Sequence, residues 1–288
     1  MQSIWLDLMG TEVRFVGKRY RTRIIEAGEG EPLILAHGGG GHAEHYSRNI
    51  LRLAQHFHVI AFDSLWHGYS SAPDPGPDPM LLFSEQILDL LDTMGIEKAN
   101  IGGASAGAFA PLWLALNRPE RVDKLVLIVP GHIQYPSDAA SGDRADYSQL
   151  RTRTLAALDD VTPSSIRSRL EWLMADPSVV TDELVDVRAK IYGSLAGNQA
   201  TRTYYGFNSS ELGHAHDFSR QELEGLRVPT LVLWATGGNG VAPERGEWLA
   251  SVLPNVRHRV IEGAGHWPQW ERPEEHDNAI IDFINEPS

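Results

Sequence analysis

Short strand-like runs alternate with helical patterns along most of this 288-residue chain, and this alternation restricts the fold more than any other feature. After an opening antiparallel pair, "TEVRFV" and "YRTRIIEAG", we predict buried strands at 32–38, 58–63, 98–104, 124–131, 230–235 and 257–264. Helices are predicted at 43–55, 80–94, 106–117, 243–252 and 273–285. Strands that alternate with helices form mainly parallel sheets covered by helices. The expected fold class is therefore α/β, with a mostly parallel eight-stranded sheet flanked by helices.

The strand-like runs stop between residues 133 and 225, and helical signals replace them. Thr162 stands directly before a proline, which is typical of an N-cap followed by the first helical residue. Thr181 is followed by two acidic residues and opens a second helix in the same way. We therefore predict a helical cap at 133–225, inserted into a core formed by 1–132 and 226–288.

Composition excludes several classes of partner and site. The net charge of −13 makes nucleic acid and anionic membranes unsuitable partners. The absence of cysteine excludes disulfides, thiolate metal sites and a cysteine nucleophile. The first residues show neither a basic segment nor a long apolar core, so we expect a soluble, cytoplasmic protein. We expect a small-molecule substrate and a homodimer or higher homo-oligomer, although the sequence does not fix the number of subunits.

The segment "GGASAG", residues 102–107, has the form G-x-S-x-G and lies between a predicted strand and a predicted helix. A serine on such a turn is held exposed in a strained conformation, and small neighbours let the turn close. The helix behind it favours negative charge on the serine oxygen. A helix start made of small residues would show the same letters, but the placement between strand and helix favours Ser105 as a nucleophile.

The segment "AHGGGGH", residues 36–42, also ends a strand. Its four glycines allow backbone N–H groups to approach a ligand closely. An oxyanion hole needs two such donors, and we predict one from Gly39 or Gly40 and one from Ala106 after the serine. A flexible turn is the alternative. A phosphate-binding loop is less suitable, because the lysine of the P-loop is absent.

The segment "GAGHWPQWE", residues 263–271, follows the last predicted strand and places His266 where a general base is needed. The order of a serine followed by a histidine near the C-terminus is that of α/β-hydrolases. A single histidine near a strand end is often structural, but the two preceding motifs favour a catalytic role for this one.

With these motifs the chain resembles the α/β-hydrolase fold over essentially its whole length, and more narrowly the meta-cleavage product hydrolases. Those enzymes hydrolyse a carbon–carbon bond in vinylogous 1,5-diketones that arise from aromatic ring cleavage. The resemblance rests on "HGGGG…HYSRNI", "RPERVDKLVLIVPGH", "TDELVDVRAKI" and "GHWPQWERPEE". It implies a Ser-Asp-His triad that includes Ser105 and His266. It also implies that Arg188 binds the substrate's carboxylate end, that Trp267 lines the site, and that His45 belongs to the substrate-binding group.

Arg188 has support that is independent of the resemblance. It lies four residues after Leu184 and three before Ile191, on the apolar stripe of a predicted cap helix. A guanidinium on an inward face needs an anion or several acceptors, because an unpaired buried charge costs several kcal/mol. A substrate carboxylate and a structural ion pair within the cap both satisfy this requirement, and the resemblance favours the substrate.

The sequence departs from that family at the triad aspartate. The family places it after a strand as W-G-x-x-D-x-x-x-P, but here the slot is Gly238, with Asn239 beside it. No ionisable residue lies between Trp234 and Pro243. A carboxylate from elsewhere, hydrogen bonding by Asn239, or a Ser-His pair acting alone are the three alternatives. Asp fixes the tautomer of the histidine and stabilises the imidazolium, so we expect a weaker base at His266.

Three further features are weaker signals. Ala104 occupies a position where the family usually has Asn, which leaves the substrate class open. Asp63 opens "DSLWHGYS" and is interpreted as structural. A zinc site would need a third ligand at consistent spacing, and serine-based hydrolysis requires no metal or cofactor. The histidines considered for such a site are His42, His45, His56, His58, His214 and His216.

Three functions remain open on the sequence. The first is hydrolysis of a carbon–carbon bond in a ring-cleavage dienoate or diketone. The second is hydrolysis of an ester or lactone through an acyl-serine. The third is a cofactor-free oxygenase or lyase, or a binding protein on a hydrolase frame, which the missing aspartate favours.

Overall fold

The computed structural model describes residues 3–207, 216–239 and 241–286, and within 137–147 it describes the backbone alone. Eight strands form one sheet in the order β1-β2-β4-β3-β5-β6-β7-β8. The pairs β1–β2 and β2–β4 are antiparallel, and every other pair is parallel. The fold class predicted from the sequence is therefore confirmed. The strands are Glu12–Val16 (β1), Thr22–Ala27 (β2), Pro32–Ala36 (β3), His58–Phe62 (β4), Ala99–Ala104 (β5), Val122–Ile128 (β6), Thr230–Ala235 (β7) and Val256–Ile261 (β8).

Helices occur at each of the five ranges predicted outside the cap, within the predicted cap, and at two short segments that the sequence pattern did not predict. They are Ile4–Asp7 (α1), Ser47–Leu53 (α2), Pro79–Met94 (α3), Phe109–Asn117 (α4), Ser137–Asp159 (α5), Pro163–Glu171 (α6), Asp182–Gly193 (α7), Leu195–Phe207 (α8), Arg220–Glu224 (α9), Pro243–Val252 (α10), Pro268–Glu271 (α11) and Pro273–Asn285 (α12). Short 3₁₀ turns occupy Ala43–Tyr46, Ser105–Ala108, Pro119–Arg121 and Pro177–Val179. Over the described ranges, none of these helices combines the length and apolar character needed to cross a bilayer.

Helices α5 to α9 lie in sequence between β6 and β7, where the cap was expected. Both predicted N-caps are present: the hydroxyl of Thr162 accepts from the N–H of Ser165, and that of Thr181 from the N–H of Leu184, each at 3.2 Å. The cap has its own apolar cluster, separate from the core around the sheet, and this cluster also includes Trp267. The division of the chain at 133 and 225 stays a prediction.

The two strands that flank β5 end sooner than the sequence pattern predicted, because the chain turns above the sheet at its carboxyl edge. β3 ends at Ala36 rather than at 38, and β6 ends at Ile128 rather than at 131. Val129 adopts a positive φ of 41°, and the N–H of Gly131 donates to the carbonyl of Ser105 at 3.0 Å. The residues after these strands therefore enclose the end of β5.

Candidate active site

Ser105 lies between β5 and α4 in a strained backbone conformation. Its φ is +52°, in the left-handed region that non-glycine residues rarely adopt. The turn is tight: a side chain on Gly103 would lie 2.3 Å from the carbonyl oxygen of Gly107, and one on Gly107 would lie 2.1 Å from that of His37. Small residues are thus required on both sides of the serine. The geometry has the form that a nucleophile elbow needs, and the role of Ser105 stays a prediction.

The turn after β3 presents two carbonyl groups to the cap. Gly39 O accepts from Nη2 of Arg169 at 3.1 Å. Gly40 O accepts from Nη1 of Arg188, and from the hydroxyl of Tyr192 at 3.1 Å. The cap is therefore joined to the glycine turn through the side chains of α6 and α7.

The N–H groups of the same turn point away from the cap, since the N–H and C=O of a trans peptide are opposed. The N–H of Gly40 donates to Nε2 of His67 at 2.9 Å, and that of Gly41 to Gly38 O at 3.0 Å. Gly40 was one of two glycines expected to supply an oxyanion donor, but its N–H is occupied by His67. Gly39 is therefore the remaining candidate in this turn.

Two buried histidines that the sequence analysis did not assign hold this turn in place. His67 accepts from Gly40 at Nε2, so its proton is on Nδ1, which donates to Leu65 O at 2.8 Å. His37 accepts from the N–H of Ser64 at Nε2, at 3.0 Å. Burial lowers the pKa of His67 to about 4, and it lowers that of His37 as well. Both rings are neutral at pH 7.

The three residues assigned to substrate binding lie together. Arg188 is completely buried, and its Nη2 donates to Nε2 of His45 at 2.6 Å. The rings of His45 and Trp267 are 3.9 Å apart between centroids, and the guanidinium carbon of Arg188 lies 6.0 Å from the ring of Trp267. Burial lowers the pKa of Arg188, and the nearby charge of Arg169 lowers it further. Their substrate-binding role stays a prediction.

Arg169 on α6 is a second completely buried arginine that the sequence analysis missed. Its Nε donates to Oγ1 of Thr154 at 2.8 Å, and its Nη2 lies 3.4 Å from the hydroxyl of Tyr205. Arg169 lies three residues after Ile166 and four before Leu173, both buried, which is the spacing of one helical face. Arg169 thus lies on an apolar helical stripe as Arg188 does, so the signal was present in the sequence.

A cleft of about 380 Å³, including its open mouth, lies on the N–H side of the glycine turn. His67 lines it, and so do Gly39 and Ala106, whose N–H groups are the candidate oxyanion donors. Its other walls are largely apolar: Ala36, Phe62, Met80, Phe83, Phe109, Ala110 and Tyr204, with His37, Gly38, Ser64 and Gly107 at the turn. An apolar group bound here would lie next to the elbow.

The loop after β8 binds the cap through its backbone. The N–H of His266 donates to Leu173 O at 2.8 Å. The buried carboxylate of Glu271 accepts from the N–H of Gly265 at 2.6 Å and from that of Ala175 at 2.9 Å. Burial raises the pKa of Glu271 despite these hydrogen bonds. Glu271 therefore joins the histidine loop to the cap, with both oxygens used by backbone donors.

The turn after β7 lies against the histidine loop, as the family pattern requires of the turn that carries the acid. The N–H of Gly237 donates to Ala264 O at 2.9 Å, and a side chain on Gly238 would lie 3.2 Å from Cα of Gly265. Gly238 has a φ of +82°. Asn239 is exposed, and its Nδ2 donates to the carbonyl of Trp172 in the cap at 2.9 Å. The turn faces the right loop without an acidic side chain, and orientation of His266 by Asn239 stays a prediction.

Asp63 has the contacts of a structural residue. It is fully buried, and it accepts from the N–H groups of Ala43 and Tyr69, each at 2.8 Å, and from Nη1 of Arg23 at 3.3 Å. No group of three metal-binding side chains occurs among the residues that the structure describes. His214, one of the histidines considered for zinc, lies outside them.

Comparisons with known proteins agree with this fold. A family model described as the alpha/beta hydrolase fold matches residues 31–273. The chain is 29% identical over 284 residues to the 2-hydroxymuconate semialdehyde hydrolase of Pseudomonas putida, covering 96% of this chain and 95% of that one. It is 27% identical over 269 residues to the 2-hydroxy-6-oxononadienedioate/2-hydroxy-6-oxononatrienedioate hydrolase of Comamonas testosteroni, covering 92% and 91%. A solved serine hydrolase involved in carbazole degradation superposes with a TM-score of 0.80 at 25% identity, covering 95% and 98%.

Proposed function

Because this chain belongs to the family of the alpha/beta hydrolase fold, we propose that it is a serine hydrolase that cleaves a carbon–carbon bond in a carboxylate-bearing dienoate of the ring-cleavage type. The curated relatives named above are hydrolases of 2-hydroxymuconate semialdehyde and of 2-hydroxy-6-oxo dienedioates. Their similarity supports the substrate class without defining one compound.

The observation that carries the proposal is the contrast between the two sides of one peptide group. The Gly39 carbonyl faces the buried guanidinium of Arg169, with Arg188 beside it on Gly40 O. On the opposite side of this peptide, the N–H of Gly40 donates to His67, and His67 lines the apolar cleft. We infer that the substrate lies across this turn, with its carboxylate at the arginines, its apolar group in the cleft and its central carbonyl near Ser105.

The reaction follows from that placement. Ser105 and His266 promote ketonisation, in which the enol oxygen loses a proton and a chain carbon gains one. Water, or Ser105 itself, then adds to the ketone carbon, and the N–H groups of Gly39 and Ala106 stabilise the resulting oxyanion. Collapse of the tetrahedral intermediate breaks the carbon–carbon bond. The electron pair of that bond leaves with the carboxylate-bearing fragment, which takes up a proton. With water as the nucleophile the other fragment leaves as a carboxylic acid, whereas with Ser105 it remains as an acyl-serine that water then hydrolyses to the acid.

The composition of the turn after β7 limits the base in this reaction. Neither Gly238 nor Asn239 supplies a negative charge that would stabilise the imidazolium of His266. Ketonisation makes the substrate an electrophile whose leaving group is a delocalised carbanion. Such a substrate requires less of the base than an amide does, and this matches the side chains present.

Ester or lactone hydrolysis is the second candidate. The strained Ser105 and the cleft beside Ala106 are sufficient elements for an acyl-serine intermediate. This reaction makes no use of a buried guanidinium, so it leaves Arg188 without a function in binding.

The test is turnover of a chromogenic 2-hydroxy-6-oxo dienoate beside a neutral p-nitrophenyl ester. We expect loss of the dienoate chromophore with kcat/KM well above that for the ester. Ser105→Ala should abolish turnover of the dienoate while the free energy of unfolding stays close to that of the wild type, since alanine occupies the same turn. Wild-type kcat in Ser105→Ala, or turnover of the ester alone, would contradict the proposal.

A further inference from the structure

Two buried arginines approach each other at the glycine turn without a carboxylate partner. Arg169 and Arg188 hydrogen-bond to the carbonyls of consecutive residues, Gly39 and Gly40. Both side chains are completely buried, and neither forms an ion pair with any residue in the described part of the chain. Their neutral acceptors include the hydroxyls of Tyr192 and Tyr205. Two like charges held together away from water destabilise each other and the fold.

The same cluster retains donors that no described residue accepts. Nη1 of Arg169 and Nε of Arg188 are buried without a hydrogen-bond partner. His45 accepts from Arg188 at Nε2, so its proton is on Nδ1, and that atom is also buried without a partner. A buried donor without an acceptor costs about 1–3 kcal/mol, and more when it is charged. Three such donors in one cluster indicate a site whose acceptor is a ligand.

We propose that Arg169 and Arg188 together bind a ligand end in which two neighbouring carbons each carry negatively charged oxygen, and that Arg169 determines the preference for this doubly charged form. The inference rests on the proposed function, in which the substrate carboxylate is bound by Arg188. A 2-hydroxydienoate has its enol oxygen on the carbon next to the carboxylate, so loss of the enol proton creates such a pair of charges.

The contacts of Arg188 and Arg169 indicate a different role for each. Arg188 lies with His45 and Trp267, in the group that binds the first carboxylate. Arg169 approaches from α6 on the adjacent carbonyl, with Nη1 free of acceptors in the described structure. A planar fork of N–H groups is suited to two oxygens in one plane. Arg169 is a specificity-determining residue in this account, and no bond is made or broken at it.

The experiment uses oxalate and oxamate, which have the same shape but carry two charges and one charge at pH 7. Their dissociation constants are measured by calorimetry with the wild type, Arg169→Met, Arg188→Met and Arg202→Met. Arg202 is a matched control, because it is a half-exposed cap arginine paired with Asp159. We expect the wild type and Arg202→Met to bind oxalate at least tenfold more tightly than oxamate.

In Arg169→Met this preference should fall below threefold, with the affinity for oxamate changed by less than threefold. Arg188→Met should weaken the binding of both ions. Arg169→Lys provides a second variant that keeps the charge and should retain part of the preference. Three results would overturn the inference: Arg169→Met keeps the full preference for oxalate over oxamate, Arg169→Met loses affinity equally for both ions, or the wild type binds neither ion. Binding requires no turnover, so an inactive dienoate assay beside an Arg169-dependent preference would refute the proposed function alone.

Discussion

Two regions of this molecule bury arginine in opposite ways. Arg23 on β2 lies 2.5 Å from the carboxylate of Glu44 and 3.3 Å from that of Asp63. Although burial lowers the pKa of Arg23, its hydrogen bond to Glu44 and the charge of Asp63 together raise it above the ordinary value. Arg188 is buried more completely, and this burial lowers its pKa, which the nearby charge of Arg169 lowers further. Its partners are Gly40 O and His45, where Arg23 has carboxylates.

The difference separates a charge that carboxylates of the fold compensate from one with neutral partners only, and we propose that the second binds a ligand. The charge of Arg23 is compensated within the fold, so removal of either side leaves a buried charge unpaired. The charge of Arg188 has no carboxylate partner among the described residues, so its burial destabilises the fold. Burial alone does not distinguish the two regions, whereas the identity of the partners does.

The largest expected effect is on stability when the two arginines are replaced by the same apolar residue. Arg23→Met should reduce the free energy of unfolding by about 3–5 kcal/mol, because it leaves the carboxylates of Glu44 and Asp63 buried without their cation. Arg188→Met should change it little or increase it, since an uncompensated charge disappears. Urea unfolding of both variants measures the contrast. Equal losses in the two variants would show that Arg188 is as structural as Arg23.

The next largest effect is the loss of folding stability at low pH through His67, which holds the turn at Gly40. The folded pKa of His67 is about 4 against an ordinary value of 6.5. Between these pH values the unfolded chain binds a proton that the folded chain does not. The contribution of neutral His67 to the free energy of unfolding is therefore fully present above pH 6.5 and is lost as the pH falls to about 4. Its size is on the order of 3 kcal/mol.

The control is His67→Gln, whose amide can accept from Gly40 and donate to Leu65 as the neutral ring does. The wild type should lose stability relative to this variant between pH 6.5 and pH 4, as measured by the free energy of unfolding in urea. Parallel pH profiles for the two proteins would mean that His67 is not held neutral, and that the glycine turn lacks this support.

The smallest effect we expect is that of a charge at position 238 on kcat, through the base His266. Gly238→Asp and Gly238→Asn impose the same strain at a φ of +82° and the same contact 3.2 Å from Cα of Gly265. They differ in charge, so their ratio of kcat isolates the electrostatic contribution to His266. We expect the aspartate variant to be at least about tenfold faster, or about 1.4 kcal/mol. Equal kcat in two folded variants would show that the turn does not act on His266.

The sequence was sufficient for the architecture and for part of the site. Alternating strands and helices predicted the sheet, because burial on both faces imposes that pattern. The motif at 102–107 predicted the strained turn of Ser105, which has a φ of +52°. The stripe on α7 placed Arg188 inward, and it is completely buried. Local patterns therefore succeed where one element determines the outcome.

The remainder depended on contacts between distant segments. No local pattern indicates that His67 accepts the N–H of Gly40, 27 residues away, which removes that donor from the oxyanion hole. The partner of Asn239 is a cap carbonyl, Trp172 O, from a segment that the sequence could not place against it. Arg169 was missed for a different reason: the apolar stripe on α6 predicts the helix by itself, and the charged residue within that stripe adds nothing to the prediction.

The most direct test of the central claim is the dependence of KM on substrate charge in Arg188→Gln. Steady-state kinetics are measured on a carboxylate-bearing dienoate and on a neutral ester, with Arg202→Gln as the control on the cap surface. We expect the KM for the dienoate to rise 10- to 100-fold, or roughly 1.4–2.8 kcal/mol, while the KM for the ester and that of the control variant stay nearly unchanged. An equal rise in KM for the neutral ester would show that Arg188 supports the fold rather than the substrate.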